Sequence, residues 1–68
     1  METFKIKGEF IQLNQLLKVM SWCDSGGNAN ALIDSGKVKV NGAVEIRRRN
    51  KIFSGFKVEV NSKVVRIE

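Results

Sequence analysis

Between residues 13 and 42 the apolar pattern changes its period. Leu13, Leu16, Leu17 and Met20 fall at i, i+3, i+4 and i+7, the stripe of one helix face. Ala29, Leu32 and Ile33 repeat that spacing a few residues on. Immediately after Gly36 the period drops to two, with Val38 and Val40 alternating with Lys37 and Lys39. Few folds accommodate two short helices that run straight into a strand. A first helix over about Gln12–Met20 faces Gln12, Asn14, Gln15 and Lys18 outward. The second opens on Asp24 or Ser25, whose side-chain oxygen can accept a free backbone N–H of the first turn. It ends at Gly36, where a helix stops on a residue with positive φ. Only about four residues separate the helices, so they are neighbours in space.

The flanks read as strands. Phe4 and Ile6 alternate with Lys5 and Lys7, a short strand ended by Gly8. Asn41-Gly42 is a strong hairpin signal because both residues tolerate φ > 0. A strict two-residue turn puts Glu45 on the same face as Val38 and Val40, so the return strand is expected to be very short or bulged. "EIRRRNK" has little apolar patterning and reads as an exposed connection. Beyond it come a Ser54-Gly55 turn, a strand through Val58 and Val60, a turn at Asn61-Ser62 and a last strand through Val65 and Ile67. Val58, Val60, Val65 and Ile67 then share a face that the helices can cover. The expected order is β-α-α-β-β-β-β. The fold class is α+β, two adjacent helices packed on a small, mainly antiparallel sheet, with residues 1–68 forming one domain.

Charge points to a partner. Lys37, Lys39, Arg47, Arg48, Arg49 and Lys51 are six of the twelve basic residues, and Glu45 is the only acid among them. Residues 37–51 therefore carry +5, equal to the formal net charge of the chain. Cations crowded onto one patch repel one another, and a polyanion relieves them. Arginine holds phosphate bidentately and lysine adds point charge. Ser25, Gly26 and Gly27 also present backbone N–H groups at a helix N-terminus, a possible phosphate contact. An anionic membrane ranks lower as a partner, because no basic amphipathic helix with bulky apolar anchors accompanies the run. No stretch approaches a membrane span, and the first ten residues lack the apolar core of a signal peptide.

Catalysis has little to work with. The chain has no histidine and one cysteine, Cys23, so neither a Cys/His metal site nor a thiol activated by histidine is expected. Cys23 reads as a packing residue and Trp22 as a lid on the core. The carboxylates show no catalytic pairing, Glu45 being expected as an ion-pair partner within the basic patch. "DSGGN" lacks the strand and the Lys-Ser/Thr of a P-loop. No enzyme activity and no cofactor are expected. The single thiol fits a reducing, cytoplasmic setting.

The segment "QLNQLLKVMSWCDSGGNANALIDSGKVKVNGAVE" resembles the RNA-binding domain named after small-subunit ribosomal protein S-four, the alpha-L motif. The resemblance spans about Gln12–Val60. Ser25-Gly26-Gly27 and "EIRRRNKI" look closer still to its small stand-alone bacterial members of YbcJ or YaaA type. The resemblance implies non-enzymatic binding of structured RNA, of the ribosomal or transfer RNA class, with the ribosome among the candidate partners. It implicates Lys37 and Lys39 on the strand, Asn41 at the turn, and Arg47, Arg48, Arg49 and Lys51 in the loop. Gln12 stands where the wider pattern often has arginine, and Gly26 and Asn30 stand where it often has basic residues. Backbone at Gly26 and Gly27 would then replace helix-borne phosphate contacts. A monomer is expected. Two other readings stay open: a protein-interaction module docking on an acidic partner in a ribonucleoprotein, and a DNA-binding helix-turn-helix, for which the second helix offers only Asn28 and Asn30.

Overall fold

A computed structural model describes residues 2–68. Its elements in chain order are β1 (Glu2–Phe4), β2 (Ile11–Gln12), α1 (Leu13–Val19), α2 (Gly26–Asp34), β3 (Val38–Val40), β4 (Ala43–Val44), β5 (Lys51–Ile52), β6 (Lys57–Val60) and β7 (Lys63–Ile67). The main sheet has the order β1-β7-β6-β3-β4. Three of its ladders are antiparallel, and β1 joins β7 in parallel. β2 and β5 form a separate antiparallel pair. The α+β class and the mainly antiparallel sheet hold. The expected element order is corrected by β2 and β5, each only two residues long.

Both helices stop in the same way. Behind α1, Ser21 has φ 61°, Trp22 N–H donates to the Leu17 carbonyl (3.1 Å) and Ser21 N–H to that of Lys18 (3.0 Å). Behind α2, Gly36 has φ 77°, Lys37 N–H donates to Leu32 (3.4 Å) and Gly36 N–H to Ile33 (3.1 Å). These paired bonds satisfy carbonyls that a helix end leaves free. The glycine supplies the left-handed conformation without steric cost, whereas Ser21 adopts it against its Cβ. Ser25 is the N-cap of α2, its Oγ accepting from Asn28 N–H at 3.2 Å. Asn41 (φ 53°) and Gly42 (φ 87°) make the β3–β4 turn, both in the mirror-image geometry that suits a hairpin's twist.

Register decides which side chains are covered. Val38 pairs with Val60, Val40 with Val58, and Val58 with Val65, so one sheet face is apolar. It meets Leu13, Leu16, Leu17, Ala29 and Ile33 from the helices in a single core to which Ile52 and Ile67 also belong. Leu32 and Met20, expected on the buried stripes, are half-buried against this core. Asn14 and Gln12 do not face outward as expected: both are half-buried, and Asn14 Nδ2 donates to Asn30 Oδ1 of α2 at 3.2 Å. Trp22 and Cys23 pack half-buried on the core edge. Burial, and secondarily the charge of Asp24, pushes the Cys23 thiol up, with Lys63 opposing, which disfavours the reactive thiolate.

Candidate functional site

The basic segment is the exposed connection expected, but it is also anchored. Its side chains are exposed, but its backbone is docked against α1. Asn50 N–H closes a tight turn onto the Arg47 carbonyl (3.2 Å). The carbonyls of Arg48 and Asn50 then accept from Asn14 N–H (3.0 Å) and Leu13 N–H (2.9 Å). They serve the free donors at the start of a seven-residue helix that has no side-chain cap. Next, Lys51 and Ile52 pair with Gln12 and Ile11. Ile52 is fully buried, the apolar anchor of the segment. Extended backbone alternates its sides, so Lys51 and Phe53 project away from the core together.

The turn, β5 and the β3–β4 hairpin enclose an open groove of about 720 Å³. Asn41, Arg47, Arg49 and Lys51 line it, with Val44, Phe53 and Phe56 as its apolar part. Four of the residues singled out in the sequence are thereby brought together. Lys37 and Lys39 line a separate, smaller depression of about 270 Å³ with Glu59 and Asn61. Arg48 turns toward the end of α2 and holds the Asp34 carboxylate through both Nε (3.0 Å) and a terminal nitrogen. Ser25, Gly26 and Gly27 lie at the opposite end of that nine-residue helix, about 12 Å along its axis from Asp34. They do not join the groove, and the Ser25 oxygen already caps α2.

Glu45 is the ion-pair partner expected within the basic patch. Glu45 accepts from Arg47 Nε (3.0 Å), a terminal Arg47 nitrogen (3.0 Å) and Arg47 backbone N–H (2.9 Å), and also from Asn50 Nδ2 (3.1 Å). The Arg47 hydrogen bonds hold the Glu45 carboxyl below its usual range, and Arg48 does the same for Asp34. Arg47 and Arg48 are correspondingly raised by these partners. Lys37, Lys39, Arg49 and Lys51 have no acid within ion-pair distance among the described residues. The Arg47 side chain stays 73% exposed and that of Arg48 53% exposed. The Arg48–Asp34 pair is exposed on both sides, whereas the Glu45 side chain is only 14% exposed, so a phosphate competes more readily for Arg48 than for Arg47. The early strand exit foreseen from Glu45 is present: β4 ends at Val44, and Glu45 N–H bonds the Val38 carbonyl at 2.9 Å.

Charge alone did not single out Phe53, Phe56 or Val44. The signal was an aromatic two residues after Lys51, which on an extended chain shares its face. Phe53 stacks at a tilt on Phe10 and Phe56, with centroids 5.8 Å apart in both pairs. Lys51 Nζ stands 4.9 Å from the Phe10 ring centre.

A small α+β domain with a helix pair, an Asn-Gly hairpin and a cationic groove beside them is the class that this geometry defines. The family model described as S4 domain matches residues 4–68, and the chain belongs to the S4 domain family. It is 46% identical over 56 residues to "Putative RNA-binding protein YbcJ" of Escherichia coli (strain K12), covering 81% of this chain and 80% of the relative. "Uncharacterized protein YbcJ" of Shigella flexneri matches to the same extent. The solution structure of YbcJ from E. coli is similar with a TM-score of 0.75 and 41% identity, over 98% of this chain and 86% of that one. That structure is described as revealing an alpha-L motif involved in RNA-binding.

Proposed function

We propose that this chain binds structured RNA without acting on it chemically. Asn41, Arg47, Arg49 and Lys51 in the groove, with Arg48 at its flank, grip the phosphates. Lys37 and Lys39 extend the contact along the sheet. The carrying observation is the groove itself, where a docked backbone gathers three cations and a turn asparagine at one edge of a small rigid core. The relative described as RNA-binding supports the choice of polyanion. A-form RNA suits it, because its wide minor groove and regular phosphates are recognised largely by shape and charge. The RNA is of the ribosomal or transfer class, the chain acts as a monomer, and it works in the cytoplasm. Gly26 and Gly27 would meet a phosphate only on an RNA extending along α2.

Titration of a folded RNA at several salt concentrations tests this. Neutralising about 4–6 phosphates gives a slope of log K against log salt of roughly −3 to −5. A flat salt response would remove the proposal.

A further inference from the structure

We propose that the groove beside β5 seats an unstacked nucleobase, its face on Phe53 and its neighbouring phosphates on Arg49 and Lys51. The preferred RNA is then a duplex interrupted by an unpaired nucleotide rather than a continuous helix. This rests on the RNA-binding reading above and adds a specificity to it.

Phosphate binding alone does not require an apolar floor. Yet Val44 is 55% exposed and Phe53 40% exposed, both lining the groove between the cations. An aromatic ring left open to water forgoes burial, and a flat π-system would recover it. Phe53 is braced by Phe10 and Phe56, and through the chain by buried Ile52, so its exposed part is held in a fixed position. Lys51 precedes it by two residues on the same side, and Arg49, within the turn, lines the same groove. Aromatic platforms with adjacent cations are how unpaired nucleotides are held, the ring taking the base and the cations its backbone. Among the described residues, the one acid lining the groove, Glu45, is occupied by Arg47 and Asn50. The Asn41 Oδ1 is taken by Lys57 N–H at 2.9 Å, which leaves its amide NH₂ to donate to a base edge. The volume of about 720 Å³ falls within the range of small-ligand sites and suits one nucleotide.

Two blunt RNA duplexes of the same sequence, one carrying a single bulged 2-aminopurine, are titrated with the full chain. The bulged duplex should bind about tenfold more tightly, with quenching of the 2-aminopurine on stacking. Phe53→Leu should lose the quenching and bring the affinity ratio between bulged and continuous duplex from about tenfold down to about one. Phe53→Trp should retain both, and circular dichroism checks that each variant is folded. Equal affinity for the two duplexes, or a Phe53→Leu chain with the preference intact, would overturn the stacking site and leave RNA binding standing. Salt-insensitive or absent binding to both duplexes would overturn the RNA-binding reading and the stacking site with it.

Discussion

The helix pair and the basic segment are fixed to the same core by different forces. In α1 and α2 the side chains do the holding: Leu13, Leu16, Leu17, Ala29 and Ile33 are all fully buried. In residues 47–53 the backbone does it, through carbonyls on the first donors of α1 and a two-residue ladder, with Ile52 as the single buried side chain. A segment anchored by its main chain can leave its basic side chains exposed. That is how three arginines and a lysine can be held in a defined position without burying any of them. The contrast also explains why α1 can start without a side-chain cap: the binding segment supplies the missing acceptors.

The largest expected effects probe the two anchors. Leu17→Ala should cost ~2–5 kcal/mol of folding free energy and lower the melting temperature by ~10–30 °C. Ile52→Ala should destabilise to a similar degree, but the two variants should part company in binding. Measured at a temperature where each is still folded, Leu17→Ala should keep its RNA affinity and Ile52→Ala should lose much of it. Equal affinities would break the distinction between a structural half and a presented half.

Next in size is the replacement of Arg47, Arg48 and Arg49 together by alanine. Three lost phosphate contacts should flatten the salt slope by about 2–3 and weaken RNA binding on the order of a hundredfold at moderate salt. The melting temperature should stay close to wild type, because these side chains are exposed and their main-chain bonds survive the change. A triple variant that unfolds would mean that the arginine side chains, and not the carbonyls of residues 48 and 50, hold the segment in place.

Those two halves also differ in how far they can be read from sequence. Leu13, Leu16 and Leu17 announce their helix by spacing, and Val38, Val40, Val58, Val60, Val65 and Ile67 announce a covered sheet face by alternation. Both patterns are local, and burial simply follows them. Gly36 and Asn41-Gly42 were legible because positive φ selects residue type. The docking of the basic segment was not legible. Ile11 pairs with Ile52 across some forty residues through a ladder too short to show a period. Arg48 and Asp34 are 14 apart in sequence, and nothing near either residue specifies the other. Parallel pairing of β1 with β7 is equally hidden, since alternation carries no direction. Charge counting found the cations of the candidate site but missed Phe53, whose place depends on Ile52 being the buried residue between it and Lys51.

The smallest effect expected is acid sensitivity confined to the presented half. Among the described residues the core contains no buried polar or charged side chain, so protonation has nothing to disturb there. Glu45 is different, because its carboxylate accepts bonds from both the backbone and the guanidinium of Arg47. Its folded-state pKa is lowered. The stabilisation it gives is therefore present above the ordinary glutamate value of about 4.3 and is lost as pH falls through the depressed folded value. Asp34, lowered by Arg48, follows the same sign. Amide hydrogen exchange across this range should show Arg47 and Asn50 losing protection toward low pH while Leu16 and Leu17 hold theirs. Glu45→Gln should remove most of that response at Arg47. If the Leu16 and Leu17 amides opened in parallel with Arg47, the two halves would be one cooperative unit, and the division of labour between side-chain and main-chain anchoring would have no energetic counterpart.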